Sequence, residues 1–175
     1  MKKKILSLAL AGVMLLSLTA CGGGNTSSST PNMTETQETA LDRAKGYISS
    51  SPFSHDGLID QLMYEKFSKE DATFAADNCG ADWNEQALQC ALGYIASSHY
   101  SYDGLIEQLE YEKFTEEQAI YGADNCSADW NEEAAEAAWS YLTFTEMTRD
   151  EMIHQLQYNG FTYEQAVYGA EENGL

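Results

Sequence analysis

Basic residues are scarce in this sequence. It contains 9 Lys and Arg against 28 Asp and Glu, which gives a formal net charge of −19. Three of these cations, Lys2, Lys3 and Lys4, precede an N-terminal apolar run, and removing them with it leaves −19 − 3 = −22. Nucleic-acid surfaces need clustered cations to neutralise phosphates, so this balance argues against DNA or RNA as a partner. An acidic exported chain attracts basic protein surfaces or simply stays soluble, and both interpretations remain open.

Catalytic and metal-binding patterns are missing from the sequence as well. His55, His99 and His154 are dispersed, and no nucleophile elbow, His-Glu-x-x-His sequence or phosphate-binding loop occurs. The carboxylates of residues 77–84 lack the ligand order of a calcium loop and are better interpreted as helix caps. The sequence therefore predicts a protein that is not an enzyme and has no metal, cofactor or small-molecule substrate.

Cysteine is limited to four residues, of which three follow the N-terminal region. An odd number outside the cell allows one disulfide or none. A bridge between Cys79 and Cys90 is disfavoured, since Cys90 lies about 12 Å along the next predicted helix from its cap at Asp82. A bridge between Cys90 and Cys126 is conceivable, and the disulfide state stays open.

The N-terminus predicts an export signal. A basic start is followed by an apolar run that is too short for a comfortable membrane span, and residues 1–20 are predicted to be a signal peptide. Leu18-Thr-Ala-Cys21 resembles the lipobox of bacterial lipoproteins, which implies cleavage before Cys21 and diacylglyceryl attachment to its sulfur; the alternative is an ordinary secretory signal. Two acyl chains anchor a protein stably. We expect the mature chain on the extracellular face of the cytoplasmic membrane of a Gram-positive bacterium.

Residues 21–39 follow as a predicted flexible linker. They are rich in Gly, Ser and Thr, with Met33 as their only large apolar residue. Such a segment buries too little surface to offset the entropy of ordering it.

An internal repeat dominates the remainder of the chain. Segments 54–77, 101–124 and 148–171 align at an offset of 47 residues without a gap. A fixed period of this size is typical of repeat proteins. We predict repeats at 40–80, 81–127 and 128–175.

Each repeat contains start signals for three helices and no strand-like alternation. An apolar stripe at helical spacing marks the first helix, in the central repeat at Ala87, Leu88, Ala91, Tyr94 and Ile95. Capping residues precede the helices at Asp82, Asp129, Ser54, Ser101, Thr148, Ser68, Thr115 and Thr162. The predicted fold is all-α, with three tandem three-helix units.

Two groups of residues are candidates for the repeats' surface and packing. Recurring aromatics are interpreted as core and inter-repeat packing, with binding as the minority interpretation: Tyr64, Tyr111, Tyr158, Trp83, Trp130, Tyr121 and Tyr168. The candidate partner-binding residues are Glu107, Glu110, Glu112, Glu116, Glu117, Asp60, Glu65, Glu70, Asp71, Tyr100 and Tyr102. Their placement on one face is a hypothesis.

Several of these stretches resemble a known family. Asp82-Trp-Asn-Glu-Gln-Ala, Gly104-Leu-Ile-Glu-Gln-Leu-Glu-Tyr-Glu-Lys-Phe-Thr-Glu-Glu-Gln-Ala and Ala123-Asp-Asn are similar to the Ltp family of host cell surface-exposed lipoproteins, and the resemblance covers about residues 40–175. It implies helix-turn-helix-like three-helix units. It also implies superinfection exclusion, in which prophage-encoded members stop an incoming phage from injecting DNA by engaging a phage tail protein. The alternative is a chromosomal cell-envelope or adhesion lipoprotein.

The turn before the third helix departs from that family's pattern in two repeats. Gly160 keeps the family's glycine, whereas Lys66 and Lys113 replace it. If this position requires a left-handed backbone, each lysine costs about 1 kcal/mol.

Overall fold

A computed structural model of the protein describes residues 33–175, within a compact unit that spans Asn32–Leu175. The predicted signal peptide, the lipidation site at Cys21 and most of the predicted linker lie outside these residues. The described part forms nine α-helices: α1 (Glu35–Ser50), α2 (His55–Tyr64), α3 (Lys69–Asn78), α4 (Trp83–Ser97), α5 (Tyr102–Tyr111), α6 (Glu116–Asn125), α7 (Trp130–Phe144), α8 (Arg149–Tyr158) and α9 (Tyr163–Glu172). The prediction of an all-α fold with three repeated units is confirmed.

The first helix begins earlier than the sequence prediction placed it. The sequence predicts a flexible linker through residue 39, but α1 starts at Glu35. Thr34 accepts a hydrogen bond from the backbone N–H of Gln37, and the Gln37 side chain accepts one from the backbone N–H of Thr34. This reciprocal capping box satisfies two otherwise unpaired donors and allows the helix to start within a polar segment.

Each repeat builds its own hydrophobic core. The first and third helices of a repeat pack along each other, and the second helix packs against the third. In the first repeat the fully buried residues include Ala40, Ala44, Leu58 and Leu62. The other two cores repeat the pattern, with Met152 and Leu156 in the places of the leucines in the third. Three small cores in series are typical of repeat arrays, in which each unit contacts mainly its neighbours.

The turn between the second and third helices is left-handed in every repeat. The backbone φ angle is 77° at Lys66, 69° at Lys113 and 87° at Gly160. The two lysines therefore carry the cost of about 1 kcal/mol that the sequence predicted for a left-handed turn. After the turn, Phe114 and Phe161 are buried in the cores of their repeats.

Glycine permits the closest helix contacts. A Cβ atom at Gly169 in α9 would lie 2.7 Å from the carbonyl oxygen of Ala134 in α7, and one at Gly122 would lie 3.0 Å from that of Ala87. Ala75 holds the equivalent place in the first repeat and is fully buried. The first and third helices thus come within backbone contact distance in the second and third repeats.

The three cysteines of the described residues are free thiols. The thiols of Cys79 and Cys126 donate to the carbonyls of Ala76 and Ala123, at 3.3 and 3.2 Å. Burial, with a smaller contribution from Glu112, raises the pKa of Cys90 to about 11. The conceivable bridge between Cys90 and Cys126 is not formed. Within residues 33–175, no helix combines the length and apolarity that crossing a membrane requires.

Candidate interaction surface at the repeat junctions

A serine hydroxyl joins each repeat to the next. The Oγ atom of Ser54, at the start of α2, donates to the carbonyl of Glu112 at the end of α5, with a separation of 2.5 Å. Ser101, at the start of α5, makes the same bond to the carbonyl of Asn159 at 2.6 Å. Both serines are almost fully buried. Each junction thus sets the positive end of one helix against the negative end of another, which is favourable.

The same serines cap their own helices, and a glycine lies three residues after each of them. Ser54 accepts from the backbone N–H of Gly57 and Ser101 from that of Gly104, both at 3.0 Å. A Cβ atom at Gly57 would lie 2.7 Å from the Ser54 hydroxyl, and one at Gly104 would lie 2.9 Å from that of Ser101. A Ser-x-x-Gly sequence therefore marks a helix start that docks onto the following repeat.

The third repeat carries different residues at these places. Thr148 and Glu151 stand where the first two repeats have serine and glycine, and they form a capping box with each other. The hydrogen-bonding groups at the start of α8 are thus paired with each other within the same helix.

Aromatic rings form a second contact at each junction. The ring of His55 packs edge-on against Trp83 at 5.3 Å, and that of Tyr102 packs against Trp130 at 5.5 Å. Tyr102 also donates to the carboxylate of Asp124 at 2.8 Å. The prediction that Trp83 and Trp130 pack between repeats is confirmed, and the candidate contact residue Tyr102 lies within this packing.

Three equivalent tyrosines lie on the surface instead of in the core. Tyr64, Tyr111 and Tyr158 are 78, 80 and 87 % exposed, so their interpretation as packing residues is wrong. Each is the last residue of its second helix. Tyr64 lies two residues beyond the buried Leu62, and a spacing of two places side chains on opposite sides of a helix. This two-residue spacing from a core leucine is the signal in the sequence that indicates an exposed tyrosine.

Two equivalent grooves open beside Tyr64 and Tyr111. The first groove, of about 320 Å³, lies between repeats 1 and 2, and the second, of about 440 Å³, lies between repeats 2 and 3. The first is lined by Gly57, Asp60, Gln61, Tyr64, Tyr111, Glu112 and Lys113. The second is lined by Gly104, Glu107, Gln108, Tyr111, Asn159, His99, Tyr100 and Ser101. Tyr111 is shared by both grooves.

The grooves differ in charge. In the first, the ammonium group of Lys113 bonds to the carboxylate of Asp60. In the second, Glu107 occupies the place of Asp60, but Gly160 occupies that of the lysine. A Cβ atom at Gly160 would lie 2.7 Å from the Ser101 hydroxyl. The carboxylate of Glu107 in the second groove is therefore exposed. Within residues 33–175, no lysine or arginine forms an ion pair with it as Lys113 does with Asp60.

The structure distributes the acidic candidates over several places. Asp60 and Glu112 line the first groove, and Glu107 and Tyr100 line the second. Glu65 and Glu112 accept hydrogen bonds from Tyr47 and Tyr94, which ties the first helix of a repeat to the second. Glu110 is exposed on α5, whereas the first turns of α3 and α6 hold Glu70, Asp71, Glu116 and Glu117.

A half-buried carboxylate at the second junction, that of Glu133, is not among the predicted site residues. In the first junction the backbone N–H of Phe53 donates to the side-chain oxygen of Gln86 at 3.1 Å. Glu133 stands in the place of Gln86, and its Oε2 atom is buried without a hydrogen-bond partner within the described region. His99 is 3.8 Å from that oxygen, too far for a hydrogen bond. Burial, together with the nearby Glu136, raises the pKa of Glu133 to about 7.

Replacing Glu133 with Gln should stabilise the protein at pH 8 and have a smaller effect at pH 5. A carboxyl whose folded pKa is raised contributes stability that is fully present below its ordinary pKa of 4.5 and is lost as the pH rises through about 7. A neutral side chain that cannot ionise removes the cost of the charged form, by about 1 kcal/mol. The measurement is the Tm at both pH values, with an expected rise of roughly 2–4 °C at pH 8.

The control for this substitution is Glu136→Gln, which removes the same charge from a side chain that is 63 % exposed. It should raise the Tm by less than Glu133→Gln does. Equal gains at pH 5 and pH 8 for Glu133→Gln would contradict the assignment of the titration to Glu133.

The geometry defines a class: an all-α tandem-repeat protein whose units dock end to end and carry exposed tyrosines beside their junctions. The chain matches the family described as host cell surface-exposed lipoprotein at residues 35–79, 82–126 and 129–172, and it belongs to that family. The resemblance predicted from the repeats is confirmed.

A solved structure supports the same assignment. It is described as the structure of Ltp, a superinfection exclusion protein from the Streptococcus thermophilus temperate phage TP-J34. It is 34% identical to this chain, with a TM-score of 0.52, and the match covers 54% of this chain and 98% of that one. The search of curated proteins gave no match.

Proposed function

We propose that this protein is a lipid-anchored cell-surface protein that confers superinfection exclusion by binding a basic protein of an incoming phage. The observation that carries the proposal is the likeness to the superinfection exclusion protein of phage TP-J34, at 34% identity over 98% of that chain. The family description, host cell surface-exposed lipoprotein, supports a location where an arriving phage is met.

The role assigned to each part follows from its chemistry. A diacylglyceryl group on Cys21 holds the chain at the outer face of the membrane, and the repeats project from there. The acidic body attracts a basic surface, for which a phage tail protein is the proposed source. Binding of that protein at the membrane blocks DNA injection while adsorption to the cell proceeds. No chemical step is required of the repeats.

An infection assay tests this function. The full chain and a Cys21→Ala variant are expressed in a susceptible Gram-positive host, and phage adsorption and DNA entry are scored separately. We expect normal adsorption in both strains and reduced DNA entry only with the lipidated chain. Cys21→Ala should abolish protection, because the protein is no longer retained at the membrane.

Surface display is the control for this assay, measured by antibody labelling of intact cells. Unchanged DNA entry across a broad phage panel, with the protein shown to be on the surface, would overturn the proposal. A role in binding the bacterium's own envelope would then be the one to pursue.

A further inference from the structure

We propose that the second groove is a binding site for a single Lys or Arg side chain of the partner. The inference rests on the proposed function as a protein-binding module and names the part of the surface that does the binding. The ligand group is a cation on an aliphatic stem, and the residues that receive it are Glu107 and Tyr111.

The first groove shows how this kind of site is filled. Its carboxylate, Asp60, is occupied by an ammonium group from the chain itself, that of Lys113. The exposed ring of Tyr64, at the edge of the same groove, has a second lysine over it, with the Nζ atom of Lys66 6.0 Å from the ring centroid. A carboxylate and a tyrosine face each receive one lysine here.

The second groove has the same receiving groups without an internal lysine. Glu107 is the equivalent of Asp60, and Tyr111 is the equivalent of Tyr64. Gly160 replaces the lysine, so this repeat supplies no ammonium group at that position. The volume of about 440 Å³ lies within the range of ligand pockets.

Charge complementarity selects the occupant. Gln108 and Asn159 line the second groove with neutral polar groups, and Glu107 contributes a carboxylate. His99 also lines it and lies 3.8 Å from the carboxylate of Glu133. The chain as a whole carries a formal charge of −19, so its field attracts cations and repels anions. A basic side chain on a protein surface meets these requirements, whereas an acidic or phosphorylated ligand does not.

An NMR titration with a tetralysine peptide tests the site on the full chain in zwitterionic detergent micelles, with tetraglutamate as the opposite-charge control. The backbone amides of Gly104 and Gly57 report on the second and first grooves. We expect tetralysine to shift the Gly104 amide and to leave the Gly57 amide in place. Glu107→Gln should weaken the binding roughly two- to fivefold, the range for one exposed ion pair. The matched control Glu164→Gln removes an exposed carboxylate from α9 and should weaken it less.

A gain of binding provides the sharper test. Lys113→Gly removes the internal cation and suits the positive φ at that position. The carboxylate of Asp60 is then without its lysine, as that of Glu107 is in the second groove, so the Gly57 amide should also respond to tetralysine. A Gly57 amide that stays silent in folded Lys113→Gly protein would overturn the proposal, and so would equal shifts at acidic residues throughout all three repeats of the unmodified chain.

The site and the proposed function can fail separately. If the unmodified chain and Glu107→Gln protect cells to the same extent, the binding-site proposal is overturned and the proposed function stands. If tetralysine shifts the Gly104 amide selectively but the chain protects against no phage, the binding-site proposal stands and the proposed function is overturned.

Discussion

Replacing Ser101 with Ala should cost about 2–3 kcal/mol of folding stability and loosen the third repeat from the second. The hydroxyl of this 1 % exposed residue caps α5 through the Gly104 amide and donates to the carbonyl of Asn159 in the next repeat. Loss of an N-cap costs about 1 kcal/mol. The carbonyl left without its donor adds about 1–2 kcal/mol.

Urea unfolding measures this effect. Coupling between neighbouring repeats makes an array unfold cooperatively, so a weakened junction should also lower the m-value of the transition. The matched control is Thr148→Ala, which removes the equivalent cap of α8, where the hydroxyl bonds only to Glu151. Equal losses for the two substitutions would show that the bond to Asn159 contributes nothing.

Gly169→Val should destabilise the third repeat by about 2–3 kcal/mol. A Cβ atom at this position would lie 2.7 Å from the carbonyl oxygen and 2.9 Å from the carbonyl carbon of Ala134, both of which are backbone atoms. A backbone atom cannot move aside as the end of a flexible side chain can, so α9 must shift away from α7 and lose core contacts. Overpacking of this kind typically costs about 1–3 kcal/mol.

The same substitution at Gly93 is the control for Gly169→Val. Gly93 lies in α4, and a Cβ atom there would meet no atom within 4 Å. Valine has a higher helix propensity than glycine, so Gly93→Val should be neutral or stabilising by a few tenths of a kcal/mol. Thermal unfolding of the two variants compares them directly, and similar Tm values would contradict the close contact between α7 and α9.

The helices and their caps could be predicted from the sequence because their signals are local. A capping residue and its partner are three positions apart, as in Thr115 and Gln118, and the apolar stripe repeats at helical spacing. The same rule would have found Thr34 and Gln37, which extend α1 into the predicted linker.

The junctions could not be predicted in this way, because their partners are far apart in the chain. Ser54 bonds to a carbonyl 58 residues away, and Lys113 pairs with a carboxylate 53 residues away. No periodicity within one helix indicates such contacts. A comparison between repeats does contain the information: Glu133 replaces Gln86, and Gly160 replaces Lys113, at the places where the two junctions differ. The structural effect of each difference depends on the residues of the neighbouring repeat that it contacts.

The closed helix start at Thr148 and Glu151 has a consequence for how such proteins change length in evolution. Docking by a serine hydroxyl needs the Ser-x-x-Gly start that α2 and α5 possess and α8 lacks. A unit appended beyond the third repeat would meet the Thr148 hydroxyl, which already donates to Glu151. Duplication of the first or second repeat supplies both a docking start and an accepting carbonyl, so descendants with more units should arise by internal duplication.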